Sequence, residues 1–269
     1  SSYEQFQITH PKLWQISDTR YTTHSVKSWI SRINDQTPSL TADDTLFSAI
    51  TVNDTTFTRK LLHESFTSST NMASKAANDT LHSVLAAFPG ISTEINYPMN
   101  SPQGGDPYHT IEVAARARFY ALASNAIPAT FLDGKLNGSS ANYSAQTLLQ
   151  NQQVPPFYQI NSSGHVKGQH IEVQVKIINE APVSSTTRLY VAVCEKKTLK
   201  NVKTNGEMQF FHILKKFLTD TSGILVDTLP PDSEKSFQFN WDAPGSYRLP
   251  ADGRTANIIN LNTEHSIED

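Results

Sequence analysis

The clearest periodicity in the chain lies between Asn71 and Phe88. Ala73, Ala76, Ala77, Leu81, Val84, Leu85 and Phe88 recur there at three- and four-residue steps, and Asn78, Asp79, His82 and Ser83 fall between them. That spacing predicts an amphipathic helix, capped by Thr70 or Asn71 and stopped by Pro89-Gly90. RKLLHESF (59–66) before it and ISTEINY (91–97) after it read as strands between turn-like flanks. Asp106-Pro107 has the form of a helix start, with YHTIEVAARARFYALAS as the helix it opens. Ile127-Pro128 leads into ATFL, and Asp133-Gly134 is the strongest hairpin signal in the chain. SAQTLLQNQQ (144–153) predicts one more short helix. Strand, helix, strand, helix, hairpin and helix in succession describe an α/β unit, with a parallel pair joined by a crossover helix.

From Phe157 the period changes to two. Ile171, Val173, Val175 and Ile177 share one face of HIEVQVKII, and Leu189, Val191 and Val193 share one face of RLYVAV. ILVDTL, FQFNW (237–241) and NIINL (257–261) add further short strands between turn-rich linkers, a pattern that indicates an immunoglobulin-like β-sandwich. Pro155-Pro156 is the natural boundary. Residues 1–57 are polar and irregular, with Trp14, Tyr21 and Trp29 as aromatic punctuation; they read as an extension draped over a neighbouring domain, with a short helix over 25–33. The expected partition is an extension over 1–57, an α/β domain over 58–154 and a sandwich over 155–269.

Composition narrows the function classes. A net charge of -3 on 269 residues gives no reason to expect nucleic acid, an anionic membrane surface or a polyanionic substrate. No apolar run is long enough for a membrane-spanning helix. The chain begins at Ser1 with no basic or apolar leader, which is expected of a processed mature form or a trimmed one. The one cysteine, Cys194, lies in LYVAVCEKK and reads as a packed strand residue. It excludes an intrachain disulfide and is compatible with an oxidising compartment.

A thiol-disulfide site of the thioredoxin type needs two sulfurs at the start of a helix, where free amides and the helix dipole stabilise a thiolate. A proline facing them presents the backbone of its preceding residue to an extended peptide. ESFTSSTNMAS (64–74) and NAIPATFLDG (125–134) have that placement without any cysteine. HESFTS, Asp106-Pro107-Tyr108, RARFYAL and Ile127-Pro128-Ala129-Thr130-Phe131-Leu132-Asp133-Gly134, in this order and spacing, resemble the family named for a 28-kilodalton outer membrane protein of Bacteroidetes. LYVAVCEKK, NGEMQFFHILKKFL and NIINLNTE are similar to segments of its second domain, so the resemblance spans roughly 59–262. It implies a thioredoxin-like domain followed by a β-sandwich, and an extracytoplasmic location: outer membrane, cell surface or secreted. Some relatives carry a lipid anchor and others a secretion tail.

The departure falls at the chemistry. Asn71 and Ser74 stand at the family's two cysteine positions, Thr70 at its tryptophan and Lys75 at its proline. Neither an amide nor an unactivated hydroxyl undergoes thiol-disulfide exchange. No catalytic residue is expected, and no cofactor. Nine histidines show no i, i+4 pair that would build a zinc face, and His165 and His170 flank a turn. No phosphate loop, nucleophile elbow or dinucleotide fingerprint occurs. Asp44-Thr45, Asp54-Thr55, Asp79-Thr80 and Asp227-Thr228 look similar to the O-glycosylation sites of Bacteroidetes exported proteins, making Thr45, Thr55, Thr80 and Thr228 candidates. N-glycosylation sequons stand at Asn53, Asn78, Asn137, Asn142 and Asn161 and carry less weight. The leading expectation is a non-enzymatic protein of the cell envelope that binds a protein or peptide through a groove of Thr70, Asn71, Ser74, Ile127 and Pro128. The alternatives are an adhesin or structural subunit acting through the sandwich, and an enzyme of a non-redox class.

Overall fold

A computed structural model describes residues 23–29, 32, 36, 45–51, 58–102, 104–136, 138–139, 143–167, 170–181, 184–199, 202–242, 247–248 and 258–259. Among them the chain is mainly β-structure, with three helices and several sheets. It divides into two compact units, Ser1–Thr56 and Phe57–Asp269.

The first unit contains an antiparallel pair, β1 (Thr23–Trp29) and β2 (Thr45–Thr51), in unbroken register from Thr23 opposite Thr51 to Trp29 opposite Thr45. The helix expected over 25–33 is therefore a strand over its described first part. A nine-residue helix is marginal alone, whereas a partner strand supplies hydrogen bonds to alternate residues of a segment containing Val26, Trp29 and several hydroxyl side chains, whose propensity favours a strand. Lys27 Nζ lies 5.5 Å from the ring centroid of Trp29 and 5.6 Å from that of Phe47 across the pair.

The second unit opens with β3 (Leu61–Thr67), α1 (Met72–Ala87) and β4 (Ser92–Pro98), and β3 and β4 run parallel from Leu61 opposite Ser92 to Thr67 opposite Pro98. After α2 (Ile111–Phe119), β5 (Ala129–Leu132) returns antiparallel to β3 and turns into β6 (Lys135–Leu136). At the turn Asp133 has φ 47° and Gly134 φ 81°, the double left-handed pair of a type I′ hairpin. The Asp133 carboxylate accepts from Leu62 N and Arg59 Nε, both at 2.8 Å, which pins the turn to β3.

Then follow α3 (Ala145–Gln152), β7 (Tyr158–Lys167), β8 (His170–Asn179), β9 (Ser185–Leu189), β10 (Ala192–Thr198), β11 (Phe210–Phe217), β12 (Ile224–Leu229) and β13 (Glu234–Asp242). Two short strands, β14 (Tyr247–Arg248) and β15 (Ile258–Ile259), pair with each other. The largest sheet has the order β10-β11-β4-β3-β5-β6. On one of its faces Phe66, Tyr97, Phe131 and Leu214 pack with Val113 and Ala117 of α2. On the other, Leu61 and Leu132 pack with Leu81 of α1 and Leu148 of α3. The sheets β13-β8-β7 and β12-β9 enclose a separate core of Val175, Ile177, Leu189, Val226, Leu229 and Phe239.

Three details differ from the sequence reading. RLYVAV is not one strand: the chain breaks at Tyr190-Val191, sending β9 to pair with β12 and β10 with β11. As a result β10 and β11 extend the sheet of β3 and β4. A period of two identifies a strand but not the sheet it joins. Third, α2 begins at Ile111 with Thr110 as its cap, and Asp106 instead accepts from Ser69 N at 2.8 Å and Tyr108 N at 2.9 Å. A long-range amide competes successfully for the capping carboxylate.

Candidate functional site

The β3-to-α1 connection, Ser68 to Asn71, collects the predicted site residues. Asn71 caps α1 by accepting from Ser74 N at 3.1 Å, the side-chain-to-N3 bond that an asparagine cap makes. Its Nδ2 donates to the Ile127 carbonyl at 3.3 Å, and the Ile127-Pro128 peptide is cis. Ser74 is fully buried, and its Oγ accepts from Ser68 N at 3.2 Å. Thr70 Oγ1 donates to the Pro102 carbonyl at 2.7 Å and lies 2.8 Å from Ser68 Oγ. Of the five expected groove residues, Asn71 and Ile127 meet directly, with Asn71 and Pro128 half-buried, Ile127, Thr70 and Ser74 buried, and the neighbouring Met72 69% exposed.

A loop that the sequence reading did not connect to this site covers its other side. Thr204 N and Asn205 N donate to the Ser69 carbonyl at 3.1 and 3.0 Å, and Asn205 Nδ2 donates to the Ser68 carbonyl at 3.2 Å. Glu207 accepts from Asn78 Nδ2 of α1 at 2.7 Å and from Asn205 Nδ2 at 2.5 Å. Burial raises the Glu207 carboxyl above its ordinary range, opposed by those two amide donors. The only hint in the sequence is Asn78, a polar residue on a helix that needs a partner once buried. At the turn the Ser68, Thr70 and Ser74 hydroxyls bond backbone groups, whereas Ser69 Oγ is buried without a hydrogen-bond partner.

Glu64, on the opposite face of β3 from His63, forms a buried ion pair with Arg116. Its Oε1 accepts from Arg116 Nε at 2.6 Å and Tyr97 Oη at 2.8 Å; its Oε2 accepts from Arg116 Nη2 at 2.9 Å and Tyr120 Oη at 2.5 Å. Burial, with Glu64 adding to it, raises the Tyr97 and Tyr120 phenols well above their ordinary range. The pair lines a cleft of about 680 Å³ whose other walls include Ile95, Tyr190, Cys194, Val173 and Val175. The Cys194 thiol is pushed up to about 12, chiefly by burial, which makes it a poor nucleophile.

A second buried carboxylate, Glu94 on β4, has its Oε2 3.2 Å from both His82 Nε2 of α1 and His212 Nδ1 of β11. Among the described residues no group of three or more His, Cys, Asp or Glu side chains is arranged to hold a metal ion. His170 bonds Asp242 at 2.6 Å and Glu172 at 3.2 Å, and so has no histidine ligand partner in those contacts. Of the glycosylation candidates, Thr228 is exposed, Thr45 is half-buried, and Thr80 is half-buried with its hydroxyl donated to the Ala76 carbonyl at 2.9 Å. Thr55 lies outside the described residues, as do Asn53, Asn137 and Asn142. Asn161 is exposed, whereas Asn78 is 2% exposed and engaged with Glu207.

No protein-family model matches the chain, and no curated protein matches it in sequence. Solved structures of similar fold include HBP35 of Porphyromonas gingivalis, a member of the Bacteroidetes, at a TM-score of 0.53 and 11% identity over 70% of this chain and 65% of that one. A protein of Agrobacterium tumefaciens solved as a structural-genomics target matches at a TM-score of 0.46 and 13% identity, over 69% of this chain and 80% of that one. No helix among the described residues is long and apolar enough to cross a membrane.

Proposed function

We propose that this chain is a non-enzymatic, extracytoplasmic protein of the cell envelope whose redox-inactive thioredoxin-like domain, followed by an immunoglobulin-like sandwich, binds an extended segment of a protein partner. The order β4-β3-β5-β6, parallel across β3 and β4 and antiparallel thereafter, with α1 and α2 on opposite faces, supports the thioredoxin-like reading. The resemblance of the motifs at 64–74 and 125–134 to the Bacteroidetes outer-membrane family supports the envelope location.

One observation carries the binding role: the Asn71 carboxamide occupies the Ile127 carbonyl through a long hydrogen bond of 3.3 Å. A docked strand would offer that same acceptor a backbone N–H. The side chain is an amide standing where a peptide amide would stand; the exchange keeps the Ile127 carbonyl satisfied and frees Asn71 Nδ2 to donate to a carbonyl of the docked strand. Met72, flexible and exposed beside it, supplies adaptable apolar contact. A net charge of -3 gives no reason to expect nucleic acid as the partner. The test uses the full chain and an Asn71→Arg, Met72→Arg variant as parallel baits against native envelope extract. Loss of a partner on the double substitution, with unchanged far-ultraviolet circular dichroism, is the expected result. Equal retention would remove the groove as the dock.

A second reading, adhesion through the sandwich, is favoured by the outer edge of β7. This ten-residue strand ends its sheet, and Ile160 on it is 60% exposed. Loss of the partner on Ile160→Glu and not on the groove substitutions would select it.

A further inference from the structure

Two hydrophobic cores of the second unit stop short of each other. Alternation along β8 turns Val173, Val175 and Ile177 to one face, and the register with β7 sets Ile160 opposite Ile177. Val175 and Ile177 pack with Leu189, Val226 and Leu229 of the β12-β9 sheet and are only 4% and 3% exposed. Tyr158, Val173 and Val191 are left half-buried at the margin of that core, and Ile160, on the strand that ends the sheet, is 60% exposed. The core of the six-stranded sheet ends in the same way. Ile95 of β4, Ala192 of β10 and Tyr190 pack against it and are half-buried. Both margins line the same cleft of about 680 Å³.

Among the described residues, every charged or titratable nitrogen and carboxylate side chain that lines this cleft already has a partner. Glu64 holds Arg116 through bonds of 2.6 and 2.9 Å, and Glu94 meets His212 at 3.2 Å. Arg188 donates to the Ser222 carbonyl at 3.1 Å, and its charge helps to hold the Asp220 carboxyl below its ordinary range. An anion entering the cleft would find no free cation, and a cation no free carboxylate. A charge taken out of water without a partner is costly. An uncharged apolar body has no such cost, and it takes the half-exposed walls, Tyr158, Val173 and Ile95 among them, out of water.

We infer that this cleft is a binding site for a small uncharged lipid-like molecule, a hydrocarbon body with no more than a neutral oxygen head, entering past Ile160. Its volume falls in the range of about 300–1,000 Å³ that small-molecule sites occupy. Walls drawn from strands of three sheets within one compact unit admit a hydrocarbon chain and not the surface of a protein. The exposure of Ile160 is then that of a residue at the rim. The site is separate from the groove at Asn71 and Ile127, and it stands whether or not that groove docks a peptide.

Fluorescence titration of the full chain with N-phenylnaphthylamine, an uncharged probe that brightens in apolar surroundings, tests this. The expected result is saturable binding to a single class of site, with decanol competing on the order of tenfold better than decanoate or decylammonium, which carry the same chain with a charge. Val173→Trp fills the cleft from a half-buried wall and should weaken probe binding by about tenfold or more. Gln174→Trp, exposed on the opposite face of β8, should leave it unchanged. Circular dichroism checks the fold of each variant. Ile160→Trp, at a position that is 60% exposed, narrows the mouth without loading the core and gives the same test should Val173→Trp fail to fold. Absence of saturable binding, equal competition by charged and uncharged chains, or unchanged probe affinity in the folded cleft variants would overturn the proposal.

Discussion

Replacing Glu64 with Gln tests how far the unit depends on one buried charge pair. The substitution keeps shape and one carbonyl oxygen, but the new amide nitrogen faces donors that the carboxylate now accepts, Arg116 Nη2 and Tyr120 Oη on one oxygen or Arg116 Nε and Tyr97 Oη on the other. Two of four hydrogen bonds are lost, and a guanidinium that is 9% exposed loses its counter-charge. The aromatic rings around it, with Phe119, Tyr120 and Tyr190 centroids 4.5, 4.9 and 4.7 Å from Arg116 Cζ, compensate only in part. Breaking one side of a buried pair costs about 3–5 kcal/mol. In a unit of this size that lowers Tm by about 6–20 °C, and it consumes a large share of a total stability of about 5–15 kcal/mol. Denaturant unfolding followed by tryptophan fluorescence and circular dichroism measures it. The double variant Glu64→Leu, Arg116→Met should recover most of the loss, because apolar replacement of both partners removes the unpaired charge. A loss below about 1 kcal/mol for Glu64→Gln, the range of a solvent-screened pair, would refute the argument.

Three further outcomes are expected. Asn71→Ala removes the cap of α1 and should destabilise by about 1 kcal/mol, while Asn71→Ser retains an acceptor for Ser74 N, gives up the Ile127 contact, and should lose less in the same unfolding assay. Gly105→Ala should destabilise far more than Gly90→Ala: both glycines have positive φ, but a Cβ on Gly105 would sit 2.5 Å from Asn100 Cα and one on Gly90 meets nothing within 4 Å. Gly90→Ala should therefore show only the left-handed penalty of about 1–2 kcal/mol, and equal losses would mean that the 100–105 loop yields freely. Insulin-reduction turnover with dithiothreitol should not exceed that of an unfolded control, since a site of Asn71 and Ser74 holds no thiolate; turnover above it would contradict the non-redox reading.

The local pattern along the chain determined much of this protein. Period and caps placed α1 within a residue of its ends, because a run of small and apolar side chains at helical spacing needs only a cap and a breaker to be defined. Asp133-Gly134 identified its own turn, since few dipeptides tolerate two left-handed residues. Motif order placed Asn71 opposite Ile127, though it did not show the hydrogen bond by which Asn71 occupies the Ile127 carbonyl. What only the tertiary structure decided were relations between distant segments. Asp106 left its own helix for Ser69 N, Asn205 and Glu207 arrived over the start of α1, and Glu94 met histidines from two other elements. β10 and β11 joined the sheet of β3 and β4, although their alternation suited a sandwich equally well. Hydrophobic spacing states that a face will be buried; which face covers it, and which buried polar group finds which partner, is settled by whole-chain packing in which every amide and charge removed from water must be matched.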